Sequence, residues 1–383
     1  MKNTVRVRLL FVAILFFLIS VSLVCADIYD TDGIDLSADL DITIKAMKYG
    51  SDPMDVSLLR YNNPSDPMGV YWKLNGISSA LQQKTVYKET FTYLNEEPLE
   101  RHQLDLYYTA NSKNNKVIMF VPGGAWRQGD KKNYEPLGNT FAGFHDFTVA
   151  VVNYRLSSDE GGNAMFPDHV EDVAKAFAWI KQNIAPYGDP DKVYVFGQSA
   201  GGHLVSLLST DKKWLNAVGY DLSDIKAVVS MSGAYYLPDL VAYPDNPLKL
   251  SSEEVLLFKA IMENAFGGWD KATLTDPSPQ VHINVNQPPF QVIYTYNDLS
   301  GFALEADNFV RAVKALSPAP EITLRGIEFS DYTDTVWEEA RKLAEQEEAM
   351  SEYIGHYAEI VAINTSEPYG YITQLIVDFL QSH

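Results

Sequence analysis

The hydrophobic and polar positions between residues 85 and 383 predict strands alternating with helices. Two segments with apolar residues at every second position, Thr85–Tyr93 and His102–Tyr108, are typical of an antiparallel pair of strands. Continuous apolar runs predict strands buried on both faces of a sheet. These runs are Val117–Val121, Thr148–Val152, Val193–Phe196, Ala227–Met231 and Phe290–Tyr296, and a last strand is predicted to begin over Ile322–Leu324.

Helices are predicted between these strands. In Asp168–Ile184 the apolar residues fall on one stripe, made of Val173, Phe177, Ile180 and Ile184. Further helices are predicted at Gly202–Ser209, Asn308–Leu316 and Tyr371–Leu380. Strand–helix alternation favours an α/β fold, with a mostly parallel central sheet and helices on both faces.

The domain organisation follows from where this alternation starts and stops. Residues 27–84 are polar and rich in Asp, Tyr, Asn and Pro, and we interpret them as an arm packed on the α/β domain of residues 85–383. Insertions interrupt the domain at about residues 236–285 and 331–355. The charged stretch within the second insertion favours a solvated helix face over a lid.

The first 26 residues have the pattern of an export signal. Basic Lys2, Arg6 and Arg8 precede an uncharged run over Leu9–Ala26, which Asp27 ends. Small residues near position 26 predict cleavage there, and hence a secreted or extracytoplasmic protein without stable membrane insertion. The alternative is an uncleaved membrane anchor, although 18 residues are at the low end for spanning a bilayer.

Composition and charge narrow the classes of partner. The 383 residues are 46% hydrophobic and 21% charged, as in ordinary globular proteins. The net charge is −20, and without the signal it is 27 basic against 50 acidic residues, or −23. Nucleic acid is therefore not an expected partner, and a neutral or cationic substrate fits better than a polyanion. The only cysteine, Cys25, lies in the signal, which excludes an intrachain disulfide and a cysteine-based zinc site.

The segment Gly197-Gln198-Ser199-Ala200-Gly201 matches the G-x-S-x-G pattern of a nucleophile elbow. An apolar strand precedes it and a helix follows it, which is the context that the elbow requires. Glycines at positions 197 and 201 are needed because side chains there would collide with neighbouring backbone in so tight a turn. Ser199 is therefore the candidate nucleophile, and a plain Gly/Ser turn is the alternative.

A second glycine-rich segment, Pro122-Gly123-Gly124-Ala125-Trp126, follows the strand Val117–Val121. Backbone N–H groups at such a turn can point into a site with no side chain in the way. Acyl transfer needs such donors for the negative oxygen of its intermediate. The candidate oxyanion-hole donors are the N–H groups of Gly124, Ala125 and Ala200.

These segments occur in the order found in a known family, together with Asn153-Tyr154-Arg155 and with Phe166-Pro167 followed by Glu171-Asp172. Over about residues 100–380 the chain resembles the α/β-hydrolase esterases of the hormone-sensitive-lipase-like group. It is similar to the branch that holds small carboxylesterases, kynurenine formamidase and isoprenylcysteine methylesterase. The resemblance implies the α/β-hydrolase fold, a serine esterase mechanism and no cofactor. Many members have His where Pro122 stands. This difference is tolerable, because the oxyanion donors are backbone groups.

The resemblance also implies an acid and a base that follow the serine in the chain. Asp298 comes after the strand Phe290–Tyr296, where the family carries its acid; a turn Asp is the alternative reading, and Glu305 is the fallback acid. Of the seven histidines only His356 and His383 follow Asp298. Because Gly355-His356 resembles the family's Gly-His turn, we expect His356 to be the base, with an ordinary loop histidine as the alternative.

For two other histidines we expect a place outside the site. We expect His203 to bond a neighbouring loop and His169 to lie on a helix surface. The sequence contains no H-E-x-x-H pattern, no clustered Asp/His spacing and no phosphate-binding loop, so neither a metal nor a cofactor is expected.

The expected function is a secreted serine hydrolase that cleaves a small-molecule carboxylic ester through an acyl-enzyme. Four aromatic residues near the motifs favour short-chain or aryl esters: Trp126, Tyr154, Tyr235 and Tyr236. The alternatives are an amidase or formamidase, a prenylcysteine methylesterase, and a catalytically inactive binding protein with this fold. Pro122 and the lack of a histidine near Phe329 motivate the inactive alternative.

Overall fold

The computed structural model describes residues 84–94, 99–158, 163–242, 245, 247–295, 298–299, 301–327, 356 and 370–383. The predicted signal, all but the last residue of the predicted arm (27–84) and the insertion over residues 331–355 lie outside these residues. None of the helices within the described ranges combines the length and the apolar character needed to cross a bilayer.

An eight-stranded sheet lies at the centre of the described residues. Its strands are β1 (Val86–Thr92), β2 (Gln103–Thr109), β3 (Val117–Val121), β4 (Thr148–Val152), β5 (Val193–Gln198), β6 (Ile225–Met231), β7 (Phe290–Thr295) and β8 (Ile322–Ile327). Their spatial order is β1-β2-β4-β3-β5-β6-β7-β8. Strand β2 is antiparallel to β1 and β4, and all the other neighbours are parallel. The predicted mostly parallel sheet is confirmed.

Helices cover both faces of this sheet. The α-helices of the described residues are α1 (Glu135–His145), α2 (Asp168–Asn183), α3 (Ala200–Thr210), α4 (Lys213–Ala217), α5 (Leu237–Val241), α6 (Ser252–Phe266), α7 (Lys271–Thr275), α8 (Phe302–Lys314) and α9 (Tyr371–Ser382). Successive side chains of a strand point to opposite faces. Accordingly Met119 of β3 packs in the cluster that holds α2, α3 and α8, and Phe120 packs in the cluster that holds α1 and α9. All positions of β3 and β4 are buried, as continuous apolar runs predict.

Helices α1 and α8 differ from the sequence prediction, and the short helix α4 was not predicted either. Helix α1 was not predicted, because its sequence contains two glycines and has little polar character on which a periodic pattern would show. Gly138 within it lies against Tyr107, where an added Cβ would be 2.4 Å from the ring. Helix α8 begins at Phe302, six residues before the predicted start. The acidic Glu305 is buried in its first turn and interrupts the apolar pattern on which the prediction depends.

The insertion over residues 236–285 is largely helical and contains α5, α6 and α7. A reciprocal capping box starts α6, in which Ser251 Oγ accepts from Glu254 N at 3.2 Å and Ser251 N donates to the Glu254 carboxylate at 2.6 Å. Gly267, with φ of 76°, ends the helix in the left-handed conformation that glycine adopts readily. Phe258 of α6 stacks on Phe302 at 6.1 Å between ring centroids, which brings the insertion to the start of α8.

Candidate active site

Ser199 occupies the tight turn between β5 and α3. Its φ of 55° and ψ of −122° are rare for a residue with a side chain, and such strain is typical of functional turns. A Cβ on Gly197 would lie 2.2 Å from the Gly201 oxygen, and one on Gly201 would lie 1.9 Å from the Val121 oxygen. The turn therefore requires both glycines, as the sequence predicts. Ser199 N donates to the Met231 oxygen at 2.8 Å, and the residue is only half-buried.

The structure brings Ser199, His356 and Asp298 into one chain of hydrogen bonds. His356 Nε2 lies 2.9 Å from Ser199 Oγ, and His356 Nδ1 lies 2.6 Å from Asp298 Oδ1. An ionised carboxylate can only accept, so Nδ1 carries a proton and Nε2 is left to accept from the serine hydroxyl. His356 and Asp298 are buried, which limits competition from water for these bonds.

The Asp298 carboxylate is held by two further donors. Leu299 N donates to Oδ1 at 2.7 Å, and Ser232 Oγ donates a very short hydrogen bond to Oδ2. Ser232 directly follows β6, the strand beside β7, and its own φ is 45°. Ser232 is not among the site residues that the sequence motifs predict. Its position after β6 could have indicated a place in the site, because residues that follow neighbouring parallel strands meet at one edge of the sheet.

Gln198, the residue before Ser199, is a second contributor that the sequence reasoning missed. Its side-chain Nε2 donates to the main-chain oxygen of His356 at 3.0 Å. Gln198 is buried at the end of β5. The elbow therefore contacts His356 at two points, through the Ser199 hydroxyl and through the Gln198 amide.

The predicted oxyanion turn lies directly against Ser199. A Cβ on Gly123 would be 2.9 Å from Ser199 Cβ and 2.5 Å from Gln198 Oε1, so only glycine fits at this position. The next three residues, Gly124, Ala125 and Trp126, all have positive φ, at 121°, 51° and 58°. Within the described chain no backbone acceptor is found for the N–H groups of Gly124 and Ala125. Donors without a backbone partner are what an oxyanion hole requires.

Ala200 is the first residue of α3. The first N–H groups of a helix have no partner within the helix, and they carry the positive end of its dipole. The Ala200 N–H is thus a donor suited to a negative oxygen on a group attached to Ser199.

The Asn153-Tyr154-Arg155 segment after β4 makes hydrogen bonds to the oxyanion turn and to the residues that follow it. Tyr154 donates its hydroxyl to the Pro122 oxygen at 3.1 Å, and Asn153 Oδ1 accepts from Lys131 N at 2.7 Å. Arg155 pairs with the buried Asp172, at 2.8 Å between Nε and Oδ2. Burial alone would raise the pKa of Asp172. Hydrogen bonds from His102 and Arg155 outweigh this effect and lower the pKa to about 2.

Two buried histidines outside the Ser199–His356–Asp298 hydrogen-bond chain have partners in the described residues. His203 lies between the Trp126 indole, at 3.2 Å, and the Pro277 oxygen, at 2.7 Å, in agreement with the predicted loop contact. The expectation that His169 lies on a helix surface is wrong. It faces inward from α2 and bonds Ser157 Oγ at 2.9 Å. Burial lowers the pKa of each imidazole to about 4.

Glu305, the fallback acid, faces a different part of the molecule. One oxygen of its carboxyl group, Oε2, accepts from Tyr235 N at 2.8 Å and from Tyr236 N at 3.0 Å. Burial raises its pKa to about 8. His383, the other histidine after Asp298, lies at the end of α9 and bonds the Phe379 oxygen at 2.9 Å. Neither residue takes part in the hydrogen-bond chain at Ser199.

The expectation that four aromatic rings favour aryl esters loses most of its basis. Trp126, Tyr154 and Tyr235 are buried, and only Tyr236 is partly exposed. Their polar atoms are bonded inside the protein; the Tyr235 hydroxyl, for example, lies 2.9 Å from Ser230 Oγ. The three buried rings therefore offer little exposed surface to a substrate.

One group of possible metal ligands comes together in the described residues, although its members are distant in sequence: Asp211, Asp276 and His282. The ammonium group of Lys213 lies 2.9 Å from Asp211 Oδ2 and 3.0 Å from Asp276 Oδ1. Lys213 therefore already places one positive charge between these two carboxylates. The arrangement is that of a surface ion-pair network.

Comparison with solved structures identifies the class of fold. The chain matches esterase B from Lactobacillus rhamnosis with a TM-score of 0.52 and 18% identity, over 74% of this chain and 93% of that chain. It matches a bifunctional GH43-CE protein of Bacteroides eggerthii with a TM-score of 0.55 and 21% identity, over 78% of this chain and 35% of that chain. These likenesses show the α/β-hydrolase fold.

Residues 104–301, just over half of the chain, match the BD-FAE family, and the chain belongs to that family. It is 33% identical over 229 residues to the probable carboxylic ester hydrolase LipM of Mycobacterium tuberculosis, covering 58% of this chain and 49% of that protein. It is 31% identical over 238 residues to isoprenylcysteine alpha-carbonyl methylesterase ICME of Arabidopsis thaliana, covering 58% of this chain and 52% of that protein. The chain thus spans about half the length of the curated relatives it matches.

Proposed function

We propose that this protein is a serine hydrolase that cleaves carboxylic esters of small molecules through an acyl-enzyme. The observation that carries the proposal is the 2.9 Å separation between Ser199 Oγ and His356 Nε2, with Asp298 on the other nitrogen of the same ring at 2.6 Å. A serine hydroxyl is a weak nucleophile unless a neighbouring base removes its proton.

In the proposed mechanism Ser199 Oγ attacks the ester carbonyl while His356 Nε2 accepts the hydroxyl proton. Asp298 keeps the ring in the required tautomer and stabilises the imidazolium that forms. The N–H groups of Gly124, Ala125 and Ala200 stabilise the negative oxygen of the tetrahedral intermediate. His356 then donates the proton to the leaving alcohol. A water molecule, deprotonated by the same imidazole, releases the acid from Ser199.

Two relatives support an ester as the substrate. The chain is similar to a probable carboxylic ester hydrolase and to a carbonyl methylesterase over more than 220 residues each. The family match at residues 104–301 includes the segments that carry the oxyanion turn and the elbow. The proposal assigns this shared chemistry to Ser199 in the present chain.

The first test is turnover of p-nitrophenyl acetate by the purified protein and by Ser199→Ala. We expect wild-type turnover and a loss of at least about a thousandfold in kcat/KM for the variant. Ser209→Ala is a matched control in the same helix, because the buried Ser209 hydroxyl has no hydrogen-bond partner among the described residues. It should keep wild-type activity. A Ser199→Ala protein as active as wild type would contradict the proposal.

The inactive-fold alternative makes the opposite prediction for covalent labelling. A fluorophosphonate probe should label wild-type protein on the peptide that contains Ser199, because the probe needs an activated serine and no particular leaving alcohol. A wild-type protein that resists labelling and shows no turnover would favour a binding role instead.

A second candidate substrate class is the methyl ester of a prenylated cysteine. The observation that favours it is the 31% identity over 238 residues to isoprenylcysteine alpha-carbonyl methylesterase. The comparison of interest is the rate with S-farnesyl-cysteine methyl ester against the rate with S-methyl-cysteine methyl ester. A strong preference for the farnesyl compound supports this class, and equal rates favour a general short-chain esterase.

A further inference from the structure

The oxyanion turn adopts a conformation that needs external support. Gly124, Ala125 and Trp126 have consecutive positive φ values, and two of these residues carry side chains that disfavour that region. Such a turn persists only when the surrounding structure determines it. Backbone bonds within the turn run from Arg127 N and Gln128 N to the Gly124 oxygen, at 3.0 and 3.1 Å. They close the turn without attaching it to the nucleophile.

The Trp126 side chain provides that attachment. Its Nε1–H donates to His203 Nδ1 at 3.2 Å, and its ring packs edge-on against the rings of His203 and Phe266, each with centroids 5.0 Å away. The main-chain oxygen of Trp126 accepts from Ser157 N at 2.8 Å. The indole is buried, so water does not compete for its N–H.

His203 stands one helical turn after the nucleophile. Its N–H donates to the Ser199 oxygen at 2.9 Å, which makes it part of the same rigid first turn of α3. Because an indole N–H can only donate, His203 Nδ1 must accept, and the proton must be on Nε2. That proton points to the Pro277 oxygen at 2.7 Å. Both ring nitrogens are thus used, and the neutral imidazole is the form that fits.

We infer that the hydrogen bond between Trp126 and His203 is a positioning contact that fixes the N–H donors of Gly124 and Ala125 relative to Ser199. This role rests on the proposed ester hydrolysis. In the tetrahedral intermediate the substrate carbon is bonded to Ser199 Oγ while its oxygen lies against the donors of the turn. The oxyanion turn follows β3, whereas Ser199 follows β5, so the two come from separate segments of the chain. A misplacement of about 1 Å between them can lower the rate about a hundredfold.

The Pro277 contact extends the same connection to the helical insertion after β6. Pro277 follows α7, and its oxygen accepts the second imidazole hydrogen bond. His203→Gln can keep a donor for Pro277 but loses the acceptor for Trp126, whereas His203→Asn keeps an acceptor near the Nδ1 position. The inference therefore predicts that His203→Gln harms the reaction more than His203→Asn does.

The test measures kcat/KM for p-nitrophenyl acetate and for its thionoester, in which sulfur replaces the carbonyl oxygen. A thiocarbonyl sulfur is a weak hydrogen-bond acceptor, so the oxo-to-thiono ratio reports on the oxyanion hole. For Trp126→Phe and His203→Gln we expect the oxo-ester rate to fall by about 10- to 100-fold, and the ratio to fall with it, at little change in KM. Trp214→Phe is the matched control, since the buried Trp214 N–H has no partner among the described residues.

The ratio separates positioning from loss of fold, because partial unfolding lowers both rates equally. A Trp126→Phe protein and a His203→Gln protein that keep the wild-type ratio would overturn the inference and leave the proposed function intact. A wild-type protein that hydrolyses neither ester would overturn the proposed function, and this role with it. In the Trp126→Phe background, His203→Gln should cause little further loss, because the contact has already been removed.

Discussion

The side-chain amide of Gln198 donates a hydrogen bond to the main-chain oxygen of His356, with 3.0 Å between Nε2 and O. The residue before the proposed nucleophile therefore holds the backbone of the proposed base. This contact fixes the imidazole from its main chain, whereas Asp298 fixes it from Nδ1. Two independent contacts of this kind reduce the freedom of a side chain whose position determines proton transfer.

Gln198→Glu should weaken catalysis without abolishing it. The variant replaces an amide donor with a carboxylate that would face the His356 carbonyl oxygen. We expect kcat for p-nitrophenyl acetate to fall about tenfold, as for a lost hydrogen bond of about 1 to 2 kcal/mol. Gln381→Glu, at an exposed position in α9, is the control and should behave as wild type. Unchanged kcat in Gln198→Glu would show that the contact does not position His356.

Removing the Ser232 hydroxyl should also lower activity, because the Asp298 carboxylate loses a donor. Hydrogen bonds to charged groups contribute about 1.5 to 3 kcal/mol, so Ser232→Ala should lose about tenfold or more in kcat/KM. Ser232→Gly should lose the same activity. However, its free energy of unfolding should exceed that of the alanine variant by about 1 kcal/mol, because φ at this position is 45°. Equal stability of the two variants, or full activity of either, would contradict this account.

His169 should make the fold sensitive to acid. Burial lowers its pKa from 6.5 to about 4 in the folded protein. Between these values the unfolded chain binds a proton that the folded chain does not, so stability rises with pH over this window and is lost as pH falls. His169→Gln cannot bind this proton. The stability advantage of wild type over the variant should shrink by up to about 1.4 kcal/mol per pH unit between pH 6.5 and 4. Urea unfolding at several pH values measures it, and a constant difference would be evidence against the buried neutral imidazole.

Glu305 should have the opposite effect on the pH dependence of stability. Its pKa is raised from 4.5 to about 8 by burial, so the folded protein keeps a proton that the unfolded chain releases. The stability contribution is complete below about pH 4.5 and is lost as pH rises towards 8. Glu305→Gln retains an acceptor for Tyr235 N and Tyr236 N and does not titrate. Its stability relative to wild type should therefore increase as pH rises from 5 to 8. A relative stability independent of pH would refute the proposed titration.

The sequence predicted the fold well because its signals are local and periodic. Every strand was located within a few residues, since buried strands show as continuous apolar runs such as Val117–Val121. Helix α1 was missed because a helix with glycines and few polar residues has no contrast between faces. The insertion over residues 236–285 gave no element assignment, although the Ser251–Glu254 capping box is visible in the sequence.

The site was predictable where a motif fixes the backbone and less so where partners come from distant segments. The structure brings together Ser199, Asp298 and His356, which the sequence and the family resemblance singled out, and their catalytic roles stay predictions. Gln198 and Ser232 were missed because their partners are 158 and 66 residues away in the chain. His169 was misplaced because an imidazole on a helix gives no sign of whether a neighbouring loop covers it.

The most direct test of the central claim compares wild type with His356→Ala in the hydrolysis of p-nitrophenyl acetate. We expect the variant to lose at least about a thousandfold in kcat while the protein remains folded, because Ser199 is then a neutral hydroxyl without a base. A His356→Ala protein that hydrolyses the ester at the wild-type rate would contradict the proposed mechanism.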